Sequence, residues 1–353
     1  MIRRTIMQIK IKAIRDMIEE PVFIKTEEAV SPRVIAAISG AKACPAQATE
    51  GGVIVIATQP AGEASYTLVE GDAEPAVKLA QDEEKKRIDI TIGGELFTAY
   101  VYEDGLAKPY LGPMYTRNGE TYTRLDFETK EHPHHRSVFL AIGDINGIDF
   151  WNEPENRGLE IPDGFENFTE GAAFAAFTAK NVWKSIDGVP QIDEARRFTL
   201  YNQSHSCRYL DIEETFTATY GDVTFGATKE AGPLGIRMNE ELRADKGTGV
   251  LVNSYGGVGE SECWGKSAHW CDYSGTLSGY PYGIAAFDDE QNERFPTAWH
   301  IRSYGLFAAN NLYFKGGFVL KAGETLTYRF RVVFHEGGCI IPNRYILWAN
   351  RTR

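Results

Sequence analysis

Glu131, His132, Pro133, His134, His135, Arg136 and Ser137 form the densest run of chemically capable side chains, holding three of the seven histidines within four positions. Imidazole beside a guanidinium suits general acid–base work, because histidine exchanges protons near neutral pH while arginine holds an anionic or keto oxygen. In an extended chain His132 and His134 point to one face and His135 to the other. The pair His132 and His134 then offers half of a metal site, since imidazole suits several transition metals. A carboxylate shortly afterwards would help complete it, and Ser137-Val-Phe-Leu-Ala supplies none. A third reading keeps the histidines as hydrogen-bonded members of a polar core.

Other runs mix the same chemistry with aromatics. Gly143 to Glu153 contains Asp144, Asn146, Asp149 and Trp151, the mixture with which sugar sites stack ring faces and bridge hydroxyls. Lys229 and Glu230 open a segment that ends at Arg237. Trp264, Lys266, His269, Trp270 and Asp272 lie close together, as do Trp299, His300 and Arg302, with His300 and Arg302 on one face of a strand end. No nucleophile elbow, phosphate-binding loop, dinucleotide fingerprint or zincin motif occurs, which argues against those enzyme classes.

Strands must position these side chains. Arg87-Ile-Asp-Ile-Thr-Ile alternates, then Gly93-Gly94 turns the chain into Phe97-Thr-Ala-Tyr-Val-Tyr. Glu213 to Tyr220, Gly221-Asp222 and Val223-Thr-Phe read as a second hairpin. In Thr325 to Val332, Leu326, Tyr328, Phe330 and Val332 share a buried face, while Thr327, Arg329 and Arg331 share a wet one. Val53-Ile-Val-Ile and Ile9-Lys-Ile-Lys are further strands, Asp82 to Arg87 a solvated turn, and Ser31 to Gly40 a short capped helix. The stretches Gly143–Gly171 and Gly232–Gly283 read as long functional loops. The expected architecture is all-β: a large antiparallel β-sandwich with few short helices. Residues 1–90 form a strand-rich N-terminal region and 91–353 the main sandwich.

The balance of 37 basic against 49 acidic residues gives a net charge of −12, which disfavours nucleic acid and anionic lipid as partners. No run approaches the roughly 18 apolar residues of a membrane span. Five scattered cysteines suit reduced thiols in a cytoplasm.

Five ordered segments carry a family resemblance: Leu106 to Tyr115; His132 to Ser137 with Gly143 to Trp151; Thr224 to Glu230; Trp264 to Lys266 with Trp270 to Gly275; and Trp299 to Asn310. Together they resemble the PmoA-like domain of unknown function over roughly residues 95 to 336. The methane-oxygenase label attached to that family describes a membrane-embedded enzyme, which a chain without a span does not fit. The resemblance implies a sandwich similar to the galactose-mutarotase-like fold, a supersandwich whose concave sheet holds a carbohydrate. It further implies bacterial neighbours that process keto-sugars. On that basis His135, His300, Glu230 and Asp272 are candidates for proton transfer. Lys108, Arg136, Lys266 and Arg302 are candidates for polarising a carbonyl or binding a carboxylate. His134, Asp144, Asn146, Trp151, Trp270 and Trp299 complete the expected substrate contacts.

The function expected is a carbohydrate-active enzyme working on a sugar or oxidised (keto or uronic) derivative by histidine and carboxylate chemistry, as lyase, epimerase or hydrolase. Its partner is a small-molecule carbohydrate, and no cofactor is expected. The alternatives are a non-catalytic carbohydrate-binding or sensing domain and a metal-dependent oxygenase built on His132 and His134.

Overall fold

A computed structural model describes residues 5–124, 131–153, 155–230 and 232–352. The alternation of apolar and polar residues becomes antiparallel strands throughout, and among the described residues these form three main sheets. Thr5–Ala13, Gly62–Glu70, Val34–Ser39, Lys42–Thr49, Gly52–Gln59 and Met17–Lys25 lie in that order in a six-stranded sheet. The site-bearing sheet has eight strands, in the order Trp299–Ile301, Leu306–Ala309, Leu234–Arg237, Val138–Leu140, Tyr110–Leu111, Glu95–Val101, Arg87–Ile92 and Val77–Asp82. The backing sheet also has eight: Leu159–Thr169, Phe174–Lys184, Pro190–Tyr201, Cys207–Thr217, Thr325–Glu336, Tyr280–Asp288, Trp270–Leu277 and Val250–Asn253. Helices are short, the longest being Ile341–Ala349. No helix among the described residues is long and apolar enough to cross a membrane.

The two eight-stranded sheets face each other as a sandwich. Leu111, Val138, Leu140, Ile236, Trp299 and Phe307 from one meet Phe177, Phe198, Leu210, Phe330 and Val332 from the other in one buried cluster. The hairpin read at Gly93-Gly94 is present: Arg87–Ile92 pairs with Glu95–Val101, and both glycines hold a positive φ (64° and 85°) that side-chain-bearing residues avoid.

Several expectations change in three dimensions. Ser31 to Gly40 is not a helix. Val34–Ser39 is a strand paired on both sides, because Val34, Ile35 and Ile38 favour a pleated surface and Val34 and Ala37 are buried in the six-stranded sheet. The second hairpin is also absent. Cys207–Thr217 pairs with Pro190–Tyr201 and Thr325–Glu336, whereas Val223–Phe225 pairs with Phe318–Leu320. The stretches taken as long loops carry strands of their own, among them Leu159–Thr169 and Trp270–Leu277. The supposedly wet face of Thr325–Glu336 is partly covered, since Arg331 is 2% exposed beneath the N-terminal sheet and the C-terminal helix.

That cover is held by specific polar contacts. Glu20 accepts from Tyr209 Oη at 2.8 Å, from Arg331 Nη1 at 3.1 Å and from Arg344 Nη1 at 3.3 Å, all buried. Gln47 Oε1 accepts from the backbone amides of Ala173 and Phe174 at 3.1 and 3.0 Å. Replacing Gln47 by leucine strands both amides without an acceptor. The expected loss is about 1–3 kcal/mol in urea unfolding, with an unchanged m-value. Residue 90 lies inside strand Arg87–Ile92; the six-stranded sheet takes its last strand in chain order at Gly62–Glu70, and the site-bearing sheet its first at Val77–Asp82.

Candidate functional site

The site lies on the side of the site-bearing sheet turned away from the sandwich core. Period-2 geometry puts Phe139, Ala308, Leu306, Tyr110 and Val101 there, packed with Trp151, while their neighbours along each strand point inward. His300 and Arg302 share this outer side because Trp299 and Ile301 enter the core. Arg237 closes Leu234–Arg237 and shares it too, opposite Leu234 and Ile236.

Glu131 to Ser137 turns back on itself, so the extended-chain arrangement that would set His132 and His134 opposite His135 does not apply. His132 has φ 48°, and His135 N bonds back to the His132 carbonyl at 3.1 Å. The turn stacks the rings of His132 and His135 at 4.9 Å, with the His134 ring edge-on to His135 at 4.4 Å. A continuous row of ring and guanidinium contacts follows. Trp151 touches His135 (5.8 Å), His132 stacks on Tyr304 (4.9 Å), Arg302 lies over Tyr304 (5.7 Å) and Trp264 (5.8 Å), and Trp264 meets His300 (6.5 Å). Arg237 lies over Tyr304 as well, at 5.0 Å.

The electrostatics favour neutral imidazoles among cations. Burial, then the charge of Lys108, takes His134 down to about 4. Burial, then Arg302, takes His300 to about 4, and burial holds His135 well below its ordinary value. Burial also lowers Lys108, whose ammonium donates to the Trp151 carbonyl at 2.6 Å and lies 3.1 Å from Glu153. Burial pushes the Glu153 carboxyl up, but the two hydrogen bonds from Arg136 at 2.8 and 2.7 Å and the charge of Lys108 outweigh it and hold Glu153 at about 2.

Hydrogen bonding fixes the tautomers. Arginine can only donate, so the 3.4 Å bond from Arg237 Nη1 makes His135 Nδ1 the acceptor and leaves Nε2–H as a donor. His300 bonds the Lys229 backbone, whose carbonyl takes a proton donor, while its buried Nδ1 has no partner. Bare Nδ1 is therefore a proton acceptor. Trp151 Nε1, His132 Nδ1, Arg237 Nε and Nη2, and Trp264 Nε1 are likewise buried without a hydrogen bond.

Of the residues expected from the sequence, His134, His135, Arg136, Lys108, Trp151, His300 and Arg302 come together here. Glu230 joins them at the rim, half-exposed and paired with Lys229 at 2.8 Å; its charge reaches His300. Others do not. Asp272 lies on the backing sheet, accepting from His335 Nε2 at 2.9 Å. Trp270 packs in the cluster beneath the C-terminal helix, and the Trp299 indole is in the sandwich core, donating to the Ala268 carbonyl. Asp144 and Asn146 brace their own turn, bonding Gly147 N, and Thr224 N and Gln191. Lys266 is exposed. His132 and His134 meet edge to face at 5.9 Å, and no group of three His, Cys, Asp or Glu side chains among the described residues is placed to hold a metal ion. Arg237, Tyr304 and Trp264 were passed over as site residues. The signal for Arg237 was its alternation with Leu234 and Ile236.

The arrangement defines an all-β antiparallel sandwich whose outer sheet face gathers imidazoles, cations and buried nitrogens without a hydrogen bond. A model described as "Family of unknown function (DUF6807)" matches residues 87–341, and the chain belongs to that family. No curated protein matches it. Similar solved structures include the GH36 alpha-galactosidase AgaB from Geobacillus stearothermophilus, at 10% identity and TM-score 0.41 over 74% of this chain and 41% of that one. The alpha-galactosidase from Lactobacillus brevis matches at 9% identity and TM-score 0.36, over 75% and 40%. An AgaA variant from Geobacillus stearothermophilus in complex with 1-deoxygalactonojirimycin matches at 9% and 0.37, over 74% and 41%. The chain spans less than half of each of those chains, and at such low TM-scores the likeness says nothing of its site or ligand.

Proposed function

We propose that the outer sheet face binds a small carbohydrate carrying a carbonyl or carboxylate group and moves a proton on it. The observation that carries this reading is the set of buried nitrogens without a hydrogen bond along one row: Trp151 Nε1, Arg237 Nε, Trp264 Nε1 and His300 Nδ1. Buried polar atoms are ordinarily satisfied, and most of these are donors, so a ligand rich in acceptor oxygens matches them. Trp264, half-buried, offers aromatic surface for a sugar ring.

In this reading His300 Nδ1 accepts a proton from the carbon or hydroxyl next to the carbonyl. Arg302 and Arg237 stabilise the negative charge that develops on oxygen, and His135 Nε2–H donates to an oxygen at the other end of the ligand. Lys108, Arg136 and Glu153 lock the Trp151 end in place. The sequence resemblance to the PmoA-like domain, which implies a mutarotase-like sandwich, points the same way, and the setting proposed with it is a cytoplasm. Lyase and epimerase chemistry begin with that proton transfer; in a hydrolase the same base would take its proton from the attacking water.

A thermal-shift panel of neutral sugars, uronic acids and keto-sugars in D2O tests it. A ligand at about 100 times its Kd should stabilise the fold by about 2.7 kcal/mol. The bound sugar should also gain deuterium at the carbon flanking its carbonyl. Binding without deuterium uptake or turnover would leave a sensing domain, and no shift with any sugar would end the carbohydrate reading.

A further inference from the structure

Two cysteines 132 positions apart meet on the far side of the backing sheet, away from the site just described. Cys207 opens strand Cys207–Thr217 and pairs across to His335. Cys339 follows that partner strand, in the turn that leads into helix Ile341–Ala349. Their Sγ atoms are 2.8 Å apart; Cys207 is buried and Cys339 only partly so.

The surroundings differentiate the two thiols. The hydrogen bond with Cys207 lowers the Cys339 thiol to about 7 against its own burial, helped by the charges of Arg344 and His335. Burial opposes a charge on His335, but Asp272 beside it wins and raises its pKa. Cys207 goes the other way, pushed well up by burial. One nucleophilic, reachable sulfur and one protonated, enclosed sulfur are the asymmetry that thiol–disulfide exchange uses.

We propose that Cys207 and Cys339 are a redox-active pair that closes a reversible disulfide with a small-molecule disulfide as oxidant. The Cys339 thiolate attacks one sulfur of the oxidant and releases the first small thiol. The Cys207 sulfur then attacks Cys339 Sγ, breaking the mixed disulfide and releasing the second. The protein dithiol loses two electrons, the oxidant gains them, and the two protein thiol protons end on the two departing thiols. The bond fastens the start of the C-terminal helix to the backing sheet. From that helix Arg344 reaches the Ile18 carbonyl and Glu20 of the N-terminal sheet, so the closed pair ties all three parts together.

Full-length protein equilibrated across ratios of glutathione to glutathione disulfide, acid-quenched, alkylated after denaturation and peptide-mapped, tests this. Titratable thiols should fall from five to three with a two-electron dependence. The linked peptides should contain Cys207 and Cys339, and reductant should reverse the change. Cys207→Ser should accumulate glutathione on Cys339, while Cys339→Ser should leave Cys207 unmodified. Retention of all five thiols at the most oxidising ratio, or a crosslink between other cysteines, overturns the proposal without reference to how either variant folds.

Discussion

Arg196→Met should destabilise the protein by about 3–5 kcal/mol in urea unfolding at neutral pH, the cost of stripping a buried charge cluster of its cation. Arg196 is 1% exposed inside the sandwich. Its guanidinium donates to Glu194 and Glu160, each at 2.5 Å, and more weakly to the Leu140 and Pro109 carbonyls at 3.2 and 3.4 Å. Glu214, wholly buried, is the third carboxyl; no donor group reaches it, and its side chain hydrogen-bonds the Glu194 carboxyl. Methionine keeps much of the volume and removes every donor, so the loss measures polar satisfaction more than packing.

Protonation supplies the control. Burial, then the neighbouring Glu194 charge, pushes Glu214 well up; burial raises Glu160 to about 8 even though Arg196 pulls the other way. One guanidinium among three carboxyls does not offset their desolvation. In the unfolded chain Glu160 titrates near 4.5, so between that value and about 8 the folded state holds a proton the unfolded state has lost. That contribution is fully present below 4.5 and fades as pH rises. Glu160→Gln should therefore flatten the stability–pH curve across the window. The Arg196→Met deficit should shrink in acid, where the stranded carboxyls take up protons; a deficit independent of pH would contradict this account of the cluster.

His300→Gln should lower kcat/KM on the responsive sugar by about 10²–10⁴-fold while leaving ligand-induced stabilisation largely intact. Glutamine can still donate to the Lys229 carbonyl but presents no basic lone pair where Nδ1 stood. Because burial and Arg302 hold His300 at about 4, the wild-type rate should stay flat down to that pH, without a fall near 6.5. The same shift has a stability signature of opposite sign to that of Glu160. Between about 4 and 6.5 the unfolded imidazole binds a proton that the folded one refuses, so stability rises with pH there. The glutamine variant should lose that rise. Full activity in the variant would remove His300 as the base and move attention to His135.

Much of the fold could be read from alternation because alternation is local. Strand Gly52–Gln59, the Arg87–Val101 hairpin and the solvated turn at Glu83–Lys86 need only neighbouring residues to declare themselves. The helix expected at Ser31 to Gly40 used equally local capping signals, but two flanking strands and a buried face outweighed them. The hairpin expected at Gly221-Asp222 failed because the strand beyond it found a partner about a hundred residues away at Phe318–Leu320.

The candidate site divides the same way. By itself the sequence determined an all-β sandwich and the placing of His300 and Arg302 on one face of a strand end. Those follow from side-chain type and a two-residue period. Only the tertiary structure decided that the histidine segment is a turn stacking His132 on His135, that Arg237 and Tyr304 join it, and that Asp272 serves His335 beside a cysteine pair. Strand order and sheet stacking set those meetings, and they arise from burying distant apolar faces against one another, which no local pattern encodes.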